Sequence, residues 1–191
     1  MDRYYYHGIE PYAGIFDEQI ELMIKILSEG ILTRNVVKEM GKDDEFNHVC
    51  LYKKNDCHDY ENVKEFPDSA ANGWINNCFV FVISPDVEAI KADNSKNGVT
   101  NLVDEWRTFE SIPPSKIVGI AIPYDSISNY LEDKTLDNLP EVVAEKENII
   151  KLLPILEEIV TSNGQFIVNS NIPDFTDQLD SSLADSMSRK R

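Results

Sequence analysis

One short run constrains this chain more than any other. Cys78-Phe-Val-Phe-Val-Ile83 is a continuous apolar segment of aromatic and β-branched residues, halted at once by Ser84-Pro85-Asp86. Such a segment predicts a strand with a turn behind it. It is also the longest strongly apolar run, far below the roughly 20 residues that a helix needs to span a bilayer, so no membrane partner is expected. The opening MDRYYYHGIE has no apolar core behind its single Arg, which predicts no secretory signal. Cys50, Cys57 and Cys78 are too few and too oddly numbered for a disulfide framework. The expected setting is therefore the reducing cytoplasm, or export by a leaderless route.

The strand does not stand alone. Tyr4-Tyr5-Tyr6 suits a second short strand, running into His7-Gly8 and a loop with Pro11 and Gly14. From about Asp17 to Glu29, Ile20, Met23, Ile24 and Leu27 recur at i, i+3, i+4 and i+7, one face of a helix that Gly30 stops. His48-Val-Cys-Leu-Tyr52 predicts another strand. Leu102–Phe109 and Lys116–Ile122 predict a further strand pair, with Ile112-Pro113-Pro114 forcing a turn between them. Pro140–Val160 carries helical spacing, with Pro154 expected to kink or split it. Short strands, long polar loops and helices toward both ends predict an α+β fold. The expected division is one domain over residues 1–165, then a partly ordered acidic tail over 166–191.

Charge narrows the partners. The chain has 191 residues, with 18 Lys+Arg against 34 Asp+Glu, a net charge of −16. That field disfavours nucleic-acid phosphates and anionic membranes, keeps the chain soluble, and suits a basic protein partner.

Several chemistries find no support in the spacing. His48, Cys50, Cys57, His58 and Cys78 are suitable metal ligands by type but lack the paired C-x₂₋₄-C knuckle, so the cysteines are expected to pack as small hydrophobes with no metal. No local signature marks a cysteine nucleophile. Neither a G-x-x-x-x-G-K-[ST] nor a G-x-G-x-x-G can be written in the chain, which disfavours P-loop and Rossmann chemistry.

What remains is an ordered set: Tyr6-His7-Gly8-Ile9, then Glu29-Gly30-Ile31-Leu32-Thr33-Arg34-Asn35 at a helix end, then His48–Tyr52, then Asp104-Glu105-Trp106-Arg107-Thr108 leading through Ile112-Pro113-Pro114 to Ile117-Val-Gly-Ile-Ala-Ile122. In this order, over roughly residues 4 to 122, the chain resembles the ADP-ribosyltransferase superfamily, in the branch of diphtheria toxin and the poly-ADP-ribose polymerases. The helix end followed by Leu-x-Arg-Asn is similar to bacterial members, DNA-targeting toxins among them. The resemblance implies a mixed or antiparallel split β-sheet core with flanking helices. It also implies NAD as substrate, and transfer of ADP-ribose to a macromolecular acceptor, with an antitoxin or other basic protein as a further partner. The net charge favours a protein acceptor over nucleic acid.

The same resemblance suggests the roles of individual residues. Glu105 is the expected catalytic carboxylate, stabilising the oxocarbenium-like state in which the nicotinamide–ribose bond breaks. His7 would donate to a ribose hydroxyl, Gly8 would offer backbone groups to the nicotinamide amide, and Tyr52 or a ring near it would stack on nicotinamide. Arg34 would meet the pyrophosphate, and Arg107 would brace Glu105 or point outward. Each has a plainer alternative: Glu105 solvated on its strand, Tyr52 in a core or rim, Arg34 in a surface ion pair. The branch commonly has Thr or Ser where this chain has Ile9, and related members have Ser where it has Cys50. A non-catalytic interaction module with the same fold, and an NAD hydrolase, therefore stand as alternatives.

Overall fold

The computed structural model describes residues 4–9, 16–33, 48–53, 78–91 and 106–171. The apolar run becomes β3, Val80–Ile83, and all four of its residues are buried. Alternation sends Phe79, Phe81 and Ile83 into one hydrophobic cluster, and Val80 and Val82 into another on the opposite face. A strand covered on both faces must be continuously apolar, which is why this run has no polar alternation. Phe79 and Phe81 are fully buried, and truncating such a side chain to Ala removes roughly 3–5 kcal/mol.

β1, Tyr5–Gly8, pairs antiparallel with β3, placing His7 opposite Phe81 and Gly8 opposite Val80. β6, Ile117–Ile122, pairs antiparallel on the other side of β3. β7, Phe166–Asn169, then adds in parallel to β6, giving a four-stranded mixed sheet in the order β1-β3-β6-β7. Gly119 of β6 faces Phe166 of β7, and a Cβ there would lie 2.4 Å from the Phe166 ring. The glycine makes room for that ring.

A second sheet is small and antiparallel. It contains β2, Val49–Leu51, β4, Ile90–Lys91, and β5, Trp106–Thr108, in the order β2-β5-β4. The segments expected to form one strand pair thus part company: β5 joins this sheet, and β6 joins the larger one. Each finds an edge that buries its own apolar face, which local sequence does not encode.

Helix α1, Phe16–Glu29, buries Ile20, Met23 and Leu27 against the β3 face that carries Phe79, Phe81 and Ile83. Gly30 ends it with φ of +90°, its N–H donating to the Ile26 carbonyl. The turn after Gly30 meets the Pro-Pro turn: Ile31 and Ile112 exchange backbone hydrogen bonds at 2.8 Å each way, and the Ser111 hydroxyl accepts from the Thr33 N–H. Two motifs about eighty residues apart in sequence are thereby a single joint.

Helix α2, Tyr124–Glu132, has no side-chain cap from its own N-cap residue, Pro123. Its first N–H groups are taken by Asn171, whose Oδ1 accepts from Asp125 and Ser126. Helix α3, Pro140–Ser162, runs unbroken through Pro154. The carbonyl that loses its donor there belongs to Ile150, a residue 63% exposed, so water can satisfy it. Glu145 of α3 ties the helices together: it accepts the Phe16 N–H at 2.9 Å and the Tyr130 hydroxyl. The domain boundary expected at 165 falls inside this architecture, because β7 is part of the sheet; residues 172–191 lie outside the described part. The fold is α+β with two sheets, one mixed and one antiparallel. No described helix is long and apolar enough to cross a membrane.

Gly30 gives the sharpest test of the joint. A Cβ on it would lie 2.4 Å from the Ile112 carbonyl oxygen, in a backbone conformation that disfavours L side chains. Gly30→Ala is expected to destabilise by more than about 1 kcal/mol, lowering Tm by roughly 2–4 °C or more; calorimetry on the purified variant checks it.

Candidate functional site

Among the described residues, one backbone pair bridges the two sheets. Tyr6 and Tyr52 exchange hydrogen bonds, Tyr6 N–H to Tyr52 O at 2.8 Å and Tyr52 N–H to Tyr6 O at 2.9 Å. On the other side of β1, the Ile9 N–H donates to the Phe79 carbonyl, which fixes the phase of that ladder. Tyr5, His7 and Ile9 turn their backbone groups toward β3, whereas Tyr6 and Gly8 turn theirs toward β2.

If the β1–β2 ladder continued, its next hydrogen-bonded pair would be Gly8 with Cys50. That pair does not form. The ring of His7 takes the Cys50 carbonyl instead, its Nδ1–H donating at 2.8 Å. The N–H and C=O of Gly8 therefore face away from β3, toward the side of β2, with no hydrogen-bond partner among the described residues. Gly8 is half-buried.

The His7 hydrogen bond has a chemical consequence. A carbonyl only accepts, so the proton sits on Nδ1, and Nε2 of the neutral ring is an acceptor. Burial holds the ring's pKa below the ordinary histidine value, and the Cys50 carbonyl opposes that shift more weakly. At neutral pH the ring is uncharged. Its Nε2 accepts rather than donates a hydrogen bond, the reverse of the polarity expected from sequence.

Strand alternation sorts the remaining candidates by face. His7 shares its face of β1 with Tyr5 and Ile9, in the cluster built on Phe81. Tyr52 lies with Tyr6 on the other face, packed against Val80, Val82, Ala121 and Val168. The structure brings the backbones of these segments together but turns the Tyr52 and His7 side chains to opposite sides. Arg107, half-buried, is paired in register with Cys50 and Ile90. Ile90 is exposed, so Arg107 shares the outer face of the small sheet. Glu105 and Arg34 lie outside the described residues, as do Cys57 and His58. Glu105 directly precedes Trp106, which opens β5 in register with Leu51.

Three further side chains belong to the His7 face, and none was singled out from sequence. Tyr5 and Trp106 meet with ring centroids 5.8 Å apart. The Lys53 ammonium lies over both, 3.8 Å from the Trp106 centroid and 5.0 Å from that of Tyr5. The signal for Tyr5 was available in its i, i+2 relation to His7. Lys53 had none, because only the pairing of β2 with β5 brings it to Trp106.

Among the described residues no group of three or more His, Cys, Asp and Glu is placed to hold a metal ion. Cys78 is buried, with its thiol pushed up to about 12 by desolvation, which makes it a packing residue and a poor nucleophile. His48 packs against Phe109.

Comparison of the chain with protein-family models and with curated proteins finds no match to either.

The protonation of His7 predicts a pH dependence. With the folded pKa depressed, the unfolded chain binds the proton first as pH falls, from about 6.5 downward. Stability attributable to His7 is full above that value, declines toward the folded pKa, and is level beneath it. His7→Gln keeps an N–H donor for Cys50 without titrating. It should flatten the fall in Tm between pH 7 and 5 relative to the wild type, and an identical slope in both proteins would remove the neutral-imidazole assignment.

Proposed function

We propose that the chain is an NAD-dependent ADP-ribosyltransferase with the split sheet of that superfamily. The observation that carries this proposal is the opened ladder at Gly8, where an N–H and a C=O side by side are offered to an amide. Nicotinamide carries such an amide. The order of segments along the chain adds support, since the strands bearing His7, Tyr52 and Trp106-Arg107 are neighbours in space.

In the proposed reaction the bond between the nicotinamide nitrogen and ribose C1′ breaks, and its electron pair leaves with nicotinamide. Positive charge develops on C1′ and the ring oxygen. A nucleophile of the acceptor then bonds to C1′ and gives up its proton. Gly8 holds the nicotinamide amide, which fixes the scissile bond relative to the protein. His7 accepts from a ribose hydroxyl through Nε2 and so orients the sugar. Glu105 supplies the negative charge facing the developing cation. Arg34 is the proposed pyrophosphate contact, and a protein is the proposed acceptor, in keeping with the −16 net charge.

One observation favours a second reading. The Tyr52 ring lies across the sheet from His7, so it does not supply a stacking platform on the ribose side. An interaction module that keeps the fold and binds a basic partner would tolerate that arrangement.

Free nicotinamide separates the two. Incubation with NAD is expected to release it, and Glu105→Gln is expected to slow release by roughly a hundredfold or more while leaving Tm near the wild-type value. Undiminished release from that variant would sink the role of Glu105. No release and no thermal shift with NAD from the wild type would favour the interaction module.

A further inference from the structure

We propose that Lys53 is a second cation, besides Arg34, that receives a phosphate of the ligand seated at Gly8, an assignment that rests on the NAD reading above. A dinucleotide anchored at its amide must carry its phosphates away from Gly8, and in a chain of net charge −16 those phosphates need a cation protected from surrounding carboxylates. The ion pairs among the described residues use Lys25, Lys116, Lys146 and Lys151. Lys53 is held by aromatic rings instead, 3.8 Å from the centre of Trp106 and 5.0 Å from that of Tyr5. Ring faces attract the ammonium without neutralising it, so its full charge remains for an anion. Lys53 is half-buried, which strengthens its field relative to a fully solvated lysine.

Position agrees with charge. Alternation along β2 puts Lys53 on the side of Leu51, opposite Tyr52, and therefore on the face that holds His7. From Gly8 to Tyr5 is three residues of extended strand, about 10 Å. A nicotinamide at Gly8, its ribose against His7 and its first phosphate near the Tyr5–Trp106 pair would run along β1 in that order. The rings also limit the rotamers of Lys53, so less side-chain entropy is lost when a phosphate arrives.

The test uses ADP-ribose, which has the phosphates without the nicotinamide, and nicotinamide, which has the amide without the phosphates. Each is titrated calorimetrically into the wild type, Lys53→Met and Lys53→Arg at low and high salt. Methionine keeps an apolar stem over Trp106, and Tm checks that the variants fold. The expected result is that Lys53→Met weakens ADP-ribose binding by roughly tenfold or more and flattens its salt dependence. Lys53→Arg should retain most of both, and nicotinamide affinity should change far less than that of ADP-ribose. Equal ADP-ribose affinity and salt slope in Lys53→Met and wild type would overturn the assignment. So would equal losses for the two ligands, or no ADP-ribose binding by the wild type. If ADP-ribose binds through Lys53 but NAD yields no nicotinamide, the phosphate site stands and the transferase reading falls.

Discussion

The pair of hydrogen bonds between Tyr6 and Tyr52 is the hinge of this architecture. It is the backbone bridge between the four-stranded and three-stranded sheets among the described residues. The geometry on either side of it follows from how it ends. One more pair would zip β1 to β2 and consume the polar groups of Gly8 and Cys50. The His7 ring prevents that by taking the Cys50 carbonyl for itself. The part-buried Cys50 carbonyl stays satisfied, and a donor–acceptor pair is released at Gly8. Ending the β1–β2 ladder and freeing the backbone groups of Gly8 are one event, performed by one imidazole.

The apolar framework makes that event affordable. β3 is buried on both faces and paired on both edges, so β1 is held firmly from its far side whatever happens toward β2. Helices α1 and α3 cover one face of the sheet, and the Gly30–Ile112 joint ties the end of α1 to the turn that starts β6. A strand anchored in this way keeps its outward backbone groups in place.

Much of this was legible locally. The α1 face at Ile20, Met23 and Leu27, its stop at Gly30, and the strands at Tyr5–Gly8, Val49–Leu51 and Val80–Ile83 follow from periodicity and turn chemistry. Helix α2 was not legible, because its N-terminus is capped by Asn171, some 45 residues downstream. β7 read as an apolar patch because its partner β6 is parallel, and a parallel pair needs a long crossover, here containing α2 and α3. Pro154 was a helix interruption in sequence and an exposed residue of a continuous helix in space, since only the tertiary fold decides whether a stranded carbonyl meets water.

For the candidate site the division is similar. By itself the sequence determined which groups exist: an imidazole beside a glycine, a tyrosine closing a strand, a carboxylate before Trp106, and few cations in a strongly acidic chain. It also set the faces within each strand, because side chains alternate with a period of two. Only the tertiary structure decided which strand ends meet, and through that the tautomer of His7, the exposure of the Gly8 amide edge, the turning of Tyr52 away from His7, and the seating of Lys53 over Trp106. The physical reason is that hydrogen-bond phase and strand register are relations between segments distant in the chain, fixed by how all the apolar faces are buried at once.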